Sequence, residues 1–162
     1  MEQKLRAYFF NNMYLQGAHS GIQSQHCTAE LFVKYQWLDS ECQTDESDTE
    51  ILYDWAQNHK TTIVLNGGMS GDLQALVELF ESEYNPYPWS FFKEAEYALN
   101  GALTNVGIIL PEKIYNYDKN YQKLLDSRNT NGMQLMVHYE PPVLPEFDMK
   151  IVEALRGKRL MN

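Results

Sequence analysis

A strand, a tight turn and a helix follow one another between residues 61 and 80, and this unit constrains the fold more than any other part of the chain. The β-branched run Thr61-Thr-Ile-Val-Leu65 is typical of a buried strand, and Asn66-Gly67-Gly68 ends it with a turn. The next helix carries apolar residues at i, i+3, i+4 and i+7, with Ser70 or Asp72 as its cap. These four residues are Leu73, Leu76, Val77 and Phe80. A strand joined in this way to an amphipathic helix predicts an α/β layer.

The residues before this unit predict one more strand, one more long helix and, just before Thr61, a short helical piece that carries Ile51, Leu52 and Trp55. Aromatic side chains around Asn11-Asn12 favour a strand over residues 6–15. A helix is expected from an N-cap at Ser20 to about Tyr35, with Ile22, Ala29 and Val33 at helical spacing and with Cys27 and Leu31 as a second apolar flank. Six of the twelve residues in 39–50 are acidic, which predicts a solvated loop.

The residues after the unit predict a strand pair and a helical tail. Strands are expected over 89–92 and 103–110, and the segment 112–145 is interpreted as an insertion that holds a helix over 112–128 and a strand over 133–139. A last helix is expected over 145–160. The 162 residues therefore predict a single α/β domain, a small mixed sheet flanked by helices, with an additional C-terminal helix.

Charge and hydropathy argue against two classes of protein, those with a general nucleic-acid-binding surface and those that span a membrane. The formal net charge of −9 disfavours a general nucleic-acid surface, so no DNA partner is expected. The longest nearly apolar run, Val106 to Leu110, is far too short for a membrane span, and Met1-Glu-Gln-Lys lacks the order of a signal peptide. We expect a cytosolic protein in which Cys27 and Cys42 are free thiols.

The sequence contains none of the common catalytic or metal-binding motifs. The histidines, His19, His26, His59 and His138, share no metal-ligand spacing with each other or with the cysteines. No GxSxG, Walker or GxGxxG pattern is present, so we expect no metal, no cofactor and no catalytic residue. His26 is interpreted as a satisfied core or pocket histidine.

Three stretches are candidates for binding an anionic or planar ligand. Polar amides from Gln16 to Gln23 lie at a predicted helix start, where the dipole favours an anion, although Gln23 would equally suit a solvent-facing position. The turn at 66–71 has the same two interpretations, anion site or simple turn. Arg156 and Arg159 are three residues apart on the predicted last helix. They either bind one phosphate together, as a fork, or simply stabilise the negative C-terminal end of the helix dipole.

Aromatic residues from Trp89 to Tyr97 precede Asn100 and Thr104, a mixture that suits stacking on a base and bonding its edge or its ribose. Core packing is the alternative explanation for these aromatics. Strand alternation decides between the two, because Ser90 and Phe92 face opposite to Trp89 and Phe91.

Residues 6–111 resemble the type-two peptidyl-tRNA hydrolases. The resemblance is carried by Tyr14 to Leu31, by the Thr61–Leu65 strand with its helix, and by Thr104 to Pro111. Gln25 and Ala29 match that family's Ala-Gln-x-x-His-Ala motif, whereas Gly21 stands where it has its functional lysine. The resemblance implies a peptidyl-tRNA hydrolase 2-like fold, with Glu94 at the acidic position.

Tyr8 to Leu15, Gly21 to Tyr35 and Asn100 to Asn105 are also similar to the phage Thoeris anti-defence sponge family. Those proteins hold cyclic ADP-ribose-type signals, and some hold cyclic oligonucleotides, without cleaving them. The resemblance implies a hexamer and a set of ligand-binding residues. In this set Phe91 stacks on a purine, Asn100 and Thr104 bond ribose or base, Arg156 and Arg159 bind the diphosphate, and the helix start from Gln16 to Gln23 closes the pocket.

We therefore expect a non-enzymatic sponge for cyclic nucleotide immune signals in the cytoplasm of an infected bacterial host, inhibiting its anti-phage defence by mass action. The alternatives are a peptidyl-tRNA hydrolase-like esterase, against which the missing lysine argues, and a protein-interaction domain whose tyrosines contact a protein partner.

Overall fold

Four strands form one mixed sheet in the computed structural model, which describes residues 4–35, 46–122 and 143–161. The strands are β1 (Leu5–Asn12), β2 (Thr62–Gly68), β3 (Trp89–Lys93) and β4 (Leu103–Pro111). Their order is β2-β1-β4-β3, with β1 parallel to β2 and β4 antiparallel to both β1 and β3. Strands β1, β2 and β3 therefore end on the same side, called here the carboxyl end of the sheet.

Helices cover both faces of this sheet. They are α1 (Ala18–Lys34), α2 (Glu46–Asp54) with a π-helical continuation over Trp55–His59, α3 (Ser70–Phe80), α4 (Glu96–Leu99), α5 (Glu112–Tyr115), α6 (described over residues 117–122) and α7 (Glu146–Leu155). The prediction of a single α/β domain with a small mixed sheet, flanking helices and a C-terminal helix is confirmed. Within the described ranges no helix is long and apolar enough to cross a membrane.

Alternation along β1 divides the core into two clusters. Tyr8 and Phe10 point to the face covered by α3 and α7, called the α3 face, where they pack with residues such as Phe80. Ala7 and Phe9 point to the opposite face, called the α1 face, where α1 and α2 contribute Leu31 and Leu52. Each helix layer thus buries its own apolar cluster.

Helix α3 begins and packs as its periodicity predicts. Its four apolar residues at helical spacing are all buried. Asp72 accepts the backbone N–H of Met69 at 2.8 Å and so caps the helix start, whereas Ser70 is its first helical residue and not the cap.

Helix α1 differs from its prediction at its start and in its buried face. It begins at Ala18, after Gly17 with a φ of 53°, so Ser20 lies inside the first turn and is not the N-cap. The prediction that Ile22 and Val33 face the core is wrong, because their side chains are 45% and 59% exposed. The buried residues are Ser20, Gln23, Ser24, Cys27 and Leu31.

Other predicted segments are described only in part. Residues 46–50 of the predicted acidic loop are helical, while 39–45, with Cys42, lie outside the described residues. Cys27 is a buried free thiol. The predicted strand over 133–139 also lies outside them, and α5 and α6 form the described part of the segment 112–145.

The C-terminal helix is shorter than predicted. It ends at Leu155, because Arg156 has a ψ of 135° and Gly157 has a φ of 70°. The chain then turns toward β2, where Leu160 forms an antiparallel bridge with Leu65.

Candidate functional site

A group of neutral polar side chains is buried beneath α1 at the carboxyl end of the sheet. The register of β1 and β4 places Asn11 opposite Asn105, and both are 0% exposed. Asn105 Nδ2 donates to Asn11 Oδ1 and, at 3.3 Å, to Ser24 Oγ. Asn11 Nδ2 donates to the carbonyl oxygen of Ser20 at 2.9 Å. These four residues are called the amide–hydroxyl cluster.

One atom of this cluster has an unmet hydrogen-bonding capacity. Asn105 Oδ1 is buried, and none of the described residues donates to it. A buried carbonyl oxygen without a donor is unfavourable by about 1–3 kcal/mol. The cluster can therefore accept one further hydrogen bond.

A second polar chain begins beside this cluster and joins two of the predicted site residues. Thr104 Oγ1 donates to Gln23 Oε1 at 2.8 Å, and Gln23 Nε2 donates to Glu94 Oε1 at 2.6 Å. Both Thr104 and Gln23 are buried. Thr104 reaches α1 because the β3–β4 register shifts there, between the pairs Phe92–Asn105 and Lys93–Leu103.

The first turn of α1 above these residues contains no acidic residue, and the nearest described carboxylate in this polar chain is that of Glu94, bonded to Gln23. The N-cap of this helix, Gly17, makes no side-chain cap. Gln16 is exposed and contributes only its carbonyl oxygen, which accepts the backbone N–H of His19 at 3.2 Å. The orphan N–H groups and the positive end of the helix dipole favour an anion at this position.

The turn at 66–71 is not equivalent to this helix start. Asn66 Oδ1 accepts the N–H of Gly68 at 2.9 Å, and the Asp72 carboxylate already holds the N–H of Met69. Of the two interpretations of this segment, the structure therefore favours the simple turn.

Phe91 lies apart from the Gln23–Thr104 pair. It packs on the α3 face, with its ring 6.2 Å from that of Trp89, whereas Gln23 lies on the α1 face. It also lines an open groove of about 390 Å³ between α1 and β3, together with Glu30, Val33, Lys34, Ser90, Phe92 and Lys93. His26, predicted as a core or pocket histidine, is exposed and stacks on Phe92 at 4.6 Å.

The two C-terminal arginines do not form the predicted fork. Helix α7 ends before both of them, so the three-residue spacing no longer aligns their side chains. Arg156 makes two hydrogen bonds to Asp118, at 2.7 and 2.8 Å, and its guanidinium lowers the pKa of that carboxyl. Arg159 is exposed, and its carbonyl oxygen accepts the backbone N–H of Asn66.

Asn100 is also separate from the polar cluster. It is exposed and has a φ of 51° at the end of α4. Its left-handed conformation is one that asparagine tolerates better than most residues. The structure thus brings Gln23 and Thr104 together beneath α1, and it does not bring Phe91, Asn100, Arg156 or Arg159 to them.

The amide–hydroxyl cluster was not predicted from the sequence. A signal existed in Asn11-Asn12, because asparagine is depleted in strands and here follows three aromatic residues, Tyr8, Phe9 and Phe10, of a predicted strand. Asn105 is a second asparagine in a predicted strand, directly before the nearly apolar run from Val106 to Leu110. Only the strand register shows that these two asparagines meet.

The described groups around the site are suited to hydrogen bonding. Cys27 lies on the side of α1 that faces the sheet, and its thiol donates to the carbonyl oxygen of Ser90 at 3.4 Å. Burial raises the pKa of this thiol. In the part of the chain that the structure describes, no three His, Cys, Asp or Glu residues are grouped to hold a metal ion. The arrangement offers amide and hydroxyl groups below a positive helix end.

No protein-family model matches this chain, and no curated protein matches it. Both family resemblances carried by the sequence remain predictions.

Proposed function

We propose that this protein binds and sequesters a cyclic nucleotide immune signal without cleaving it, and so inhibits bacterial anti-phage defence. The observation that carries the proposal is the start of α1, which has no cap and no acidic residue and lies over buried neutral amides and hydroxyls. A cyclic ADP-ribose isomer or a cyclic oligonucleotide combines phosphate with ribose and base edges. The helix start suits the phosphate, and the amides suit the other groups.

The binding site of this proposal is centred on Gln16, Gln23 and Thr104. Gln23 and Thr104 are already bonded to each other, so their positions are fixed before a ligand arrives. Preorganised polar groups lose little conformational freedom on binding, which favours the tight binding that sequestration needs. For Arg156 to bind the ligand diphosphate, as the resemblance to the sponge family implies, its guanidinium would first have to break its ion pair with Asp118.

The proposal also includes a homo-oligomer, a hexamer by resemblance to the sponge family, acting in the host cytoplasm. A sponge lowers the free concentration of its signal only while its sites outnumber the signal molecules. Multiple sites in one assembly are compatible with this role.

The first experiment is isothermal titration of the purified chain with cyclic ADP-ribose isomers and cyclic oligonucleotides. The bound ligand is then released by heat and identified by chromatography. Tight binding with intact recovery supports the proposal. Absence of binding across the panel, or recovery of a cleaved product, contradicts it.

A matched pair of variants locates the site. His19→Asp places a carboxylate in the first turn of α1, where it should weaken binding at least tenfold by competing with the ligand phosphate. Gly71→Asp is the control, because it adds a carboxylate at the same helical position of α3, and a Cβ there meets no atom within 4 Å. Equal affinity of the two variants would place the ligand elsewhere.

A further inference from the structure

The two edge strands of the sheet are protected to different extents. The outer edge of β2 is covered by the C-terminal residues, since Asn66 donates to the carbonyl of Arg159 at 2.9 Å and Met161 donates to Val64 at 3.0 Å. Among residues 4–35, 46–122 and 143–161, hydrogen-bond contacts to the outer edge of β3 are confined to its first residue. There, Tyr35 Oη accepts the N–H of Trp89 at 3.2 Å, and Lys34 Nζ donates to the carbonyl of Trp89 at 3.0 Å.

The rest of the β3 edge is open among the described residues. Ser90 and Phe92 pair with Gly107 and Asn105 of β4, so their backbone groups point inward. Phe91 and Lys93 alternate with them and direct their N–H and C=O groups outward. No described residue bonds to these four groups. An open strand edge of this kind is a template for another strand.

We propose that a second copy of this chain pairs with this edge, β3 against β3 in antiparallel orientation, about a two-fold axis at Phe92. In this register Phe91 of each copy lies opposite Lys93 of the other. Two such pairs form four backbone hydrogen bonds and use only the open groups. Trp89 stays with Tyr35 and Lys34, so no existing hydrogen bond has to break.

The side chains around this axis are complementary in the same register. Phe92 meets its own copy on the α1 face, where a directly opposite pair is close enough for ring contact. On the other face Lys93, whose Nζ lies 5.4 Å from its own Phe91 ring, comes beside the Phe91 of the second copy. Ser90 lies opposite Glu94, a hydroxyl facing a carboxylate. The chain is strongly acidic, and this contact avoids opposing like charges at these positions.

Helix α1 supplies apolar area next to the paired strands. Val33 lines the groove along β3, His26 stacks on Phe92, and Ile22 continues the same helix surface toward the carboxyl end. Ile22 and Val33 are largely exposed in the single chain, although their spacing is that of a buried face. A second copy seated on β3 would cover this surface. This contact would explain why Ile22 and Val33 are apolar and at helical spacing although a single chain leaves both exposed.

This inference rests on strand geometry and not on the proposed ligand, so the two can fail separately. Sedimentation equilibrium of the unmodified full chain, without ligand, should give twice the chain mass of 18.9 kDa or a higher even multiple. A monomer over the accessible concentration range, or an odd oligomer, would overturn the proposal.

The register is tested by disulfide trapping in a Cys42→Ser background, in which the remaining Cys27 is buried. Phe92→Cys places two thiols across the axis and should form a covalent dimer under mild oxidation, because directly opposite Cβ atoms are about 4.5–5.5 Å apart. Tyr97→Cys, at a side chain that is 95% exposed, measures random collision and should remain mostly monomeric on the denaturing gel. Equal cross-linking of both variants, or an even oligomer that Phe92→Cys does not trap, would contradict this interface.

Discussion

The two faces of the sheet are built differently at the carboxyl end. On the α3 face, Phe10 and Val106 are buried among apolar side chains as far as the strand ends. On the α1 face, the apolar cluster around Phe9 and Leu31 gives way to Asn11 and Asn105. The α3 face has separate polar contacts, such as Tyr87 Oη to Asp148 at 3.0 Å and Asn12 Nδ2 to Ser70 at 3.3 Å. The α1 face instead has a connected group of buried amides and hydroxyls beneath a helix start.

The largest expected effect lies on the α3 face. Phe80 is fully buried between Phe10 and Trp89, so Phe80→Ala should lower the free energy of unfolding by about 3–5 kcal/mol. Urea unfolding followed by circular dichroism measures it. Val33→Ala on α1 is the control and should stay within about 0.5 kcal/mol, because this side chain is exposed in the monomer. It is measured at a chain concentration at which sedimentation shows monomer. Similar losses for both variants would mean that the two faces do not differ in this way.

The amide–hydroxyl cluster should give a smaller and non-additive effect. Asn11→Ala removes the acceptor for Asn105 and the donor to Ser20, and should lower the free energy of unfolding by about 2–3 kcal/mol. Asn105→Ala should lower it by less, since Asn105 Oδ1 is already without a described donor. The double variant should lower it by less than the sum of the two, because each single change leaves the other asparagine without its partner and the double change leaves neither of them buried and unpaired. Additive losses in the same unfolding measurement would show that the two asparagines do not act as a unit.

The contrast between the faces also explains which features the sequence could predict. Helix α3 packs on an apolar face, so the 3.6-residue periodicity of Leu73, Leu76, Val77 and Phe80 identified its buried side correctly. Helix α1 crosses both an apolar and a polar region. The apolar flank of Cys27 and Leu31 is buried as predicted, because it lies over the apolar region. Over the polar region the same rule selected Ile22, while the structure buries Gln23 and Ser24.

The missing information is non-local. Burial of Ser24 and Gln23 depends on the β1–β4 register, which pairs residues 94 positions apart in the chain. Likewise, the arginine fork failed because the predicted helix was carried past Gly157, whose left-handed conformation follows the end of α7. Local patterns thus predicted the elements, and tertiary contacts determined the polar site.

Tyr35, at the edge between α1 and β3, should show a pH-dependent contribution. Burial raises the pKa of Tyr35 to about 12, from an ordinary value of 10.0. The folded state therefore holds this proton more tightly than the unfolded state, so the contribution to stability is complete below pH 10 and is lost as pH rises from about 10 to about 12. Tyr35→Phe should lower stability by about 1 kcal/mol near neutral pH and decline less steeply in this alkaline interval.

The measurement for Tyr35 is urea unfolding at a series of pH values. Tyr14→Phe serves as the control, because Tyr14 is 75% exposed and its loss should leave the slope unchanged. An identical slope for Tyr35→Phe and the unmodified protein between pH 10 and pH 12 would contradict the assigned pKa.

The smallest expected effect compares the two helix starts and has the opposite sign from the others. His19→Asp adds a carboxylate to the uncapped first turn of α1 and should raise the free energy of unfolding by about 0.3–1 kcal/mol. The carboxylate itself should add less at Gly71 of α3, as the difference between Gly71→Asp and Gly71→Asn measures, because Asp72 already occupies that helix start. Thermal unfolding in low salt detects this difference, which should shrink as salt is added. An increase of this size would show that this helix end is not optimised for the stability of the free protein. If His19→Asp is more stable and also binds ligand more weakly, the missing acidic residue in the first turn of α1 serves ligand binding. Unchanged stability would mean that the N–H groups at the start of α1 already have partners.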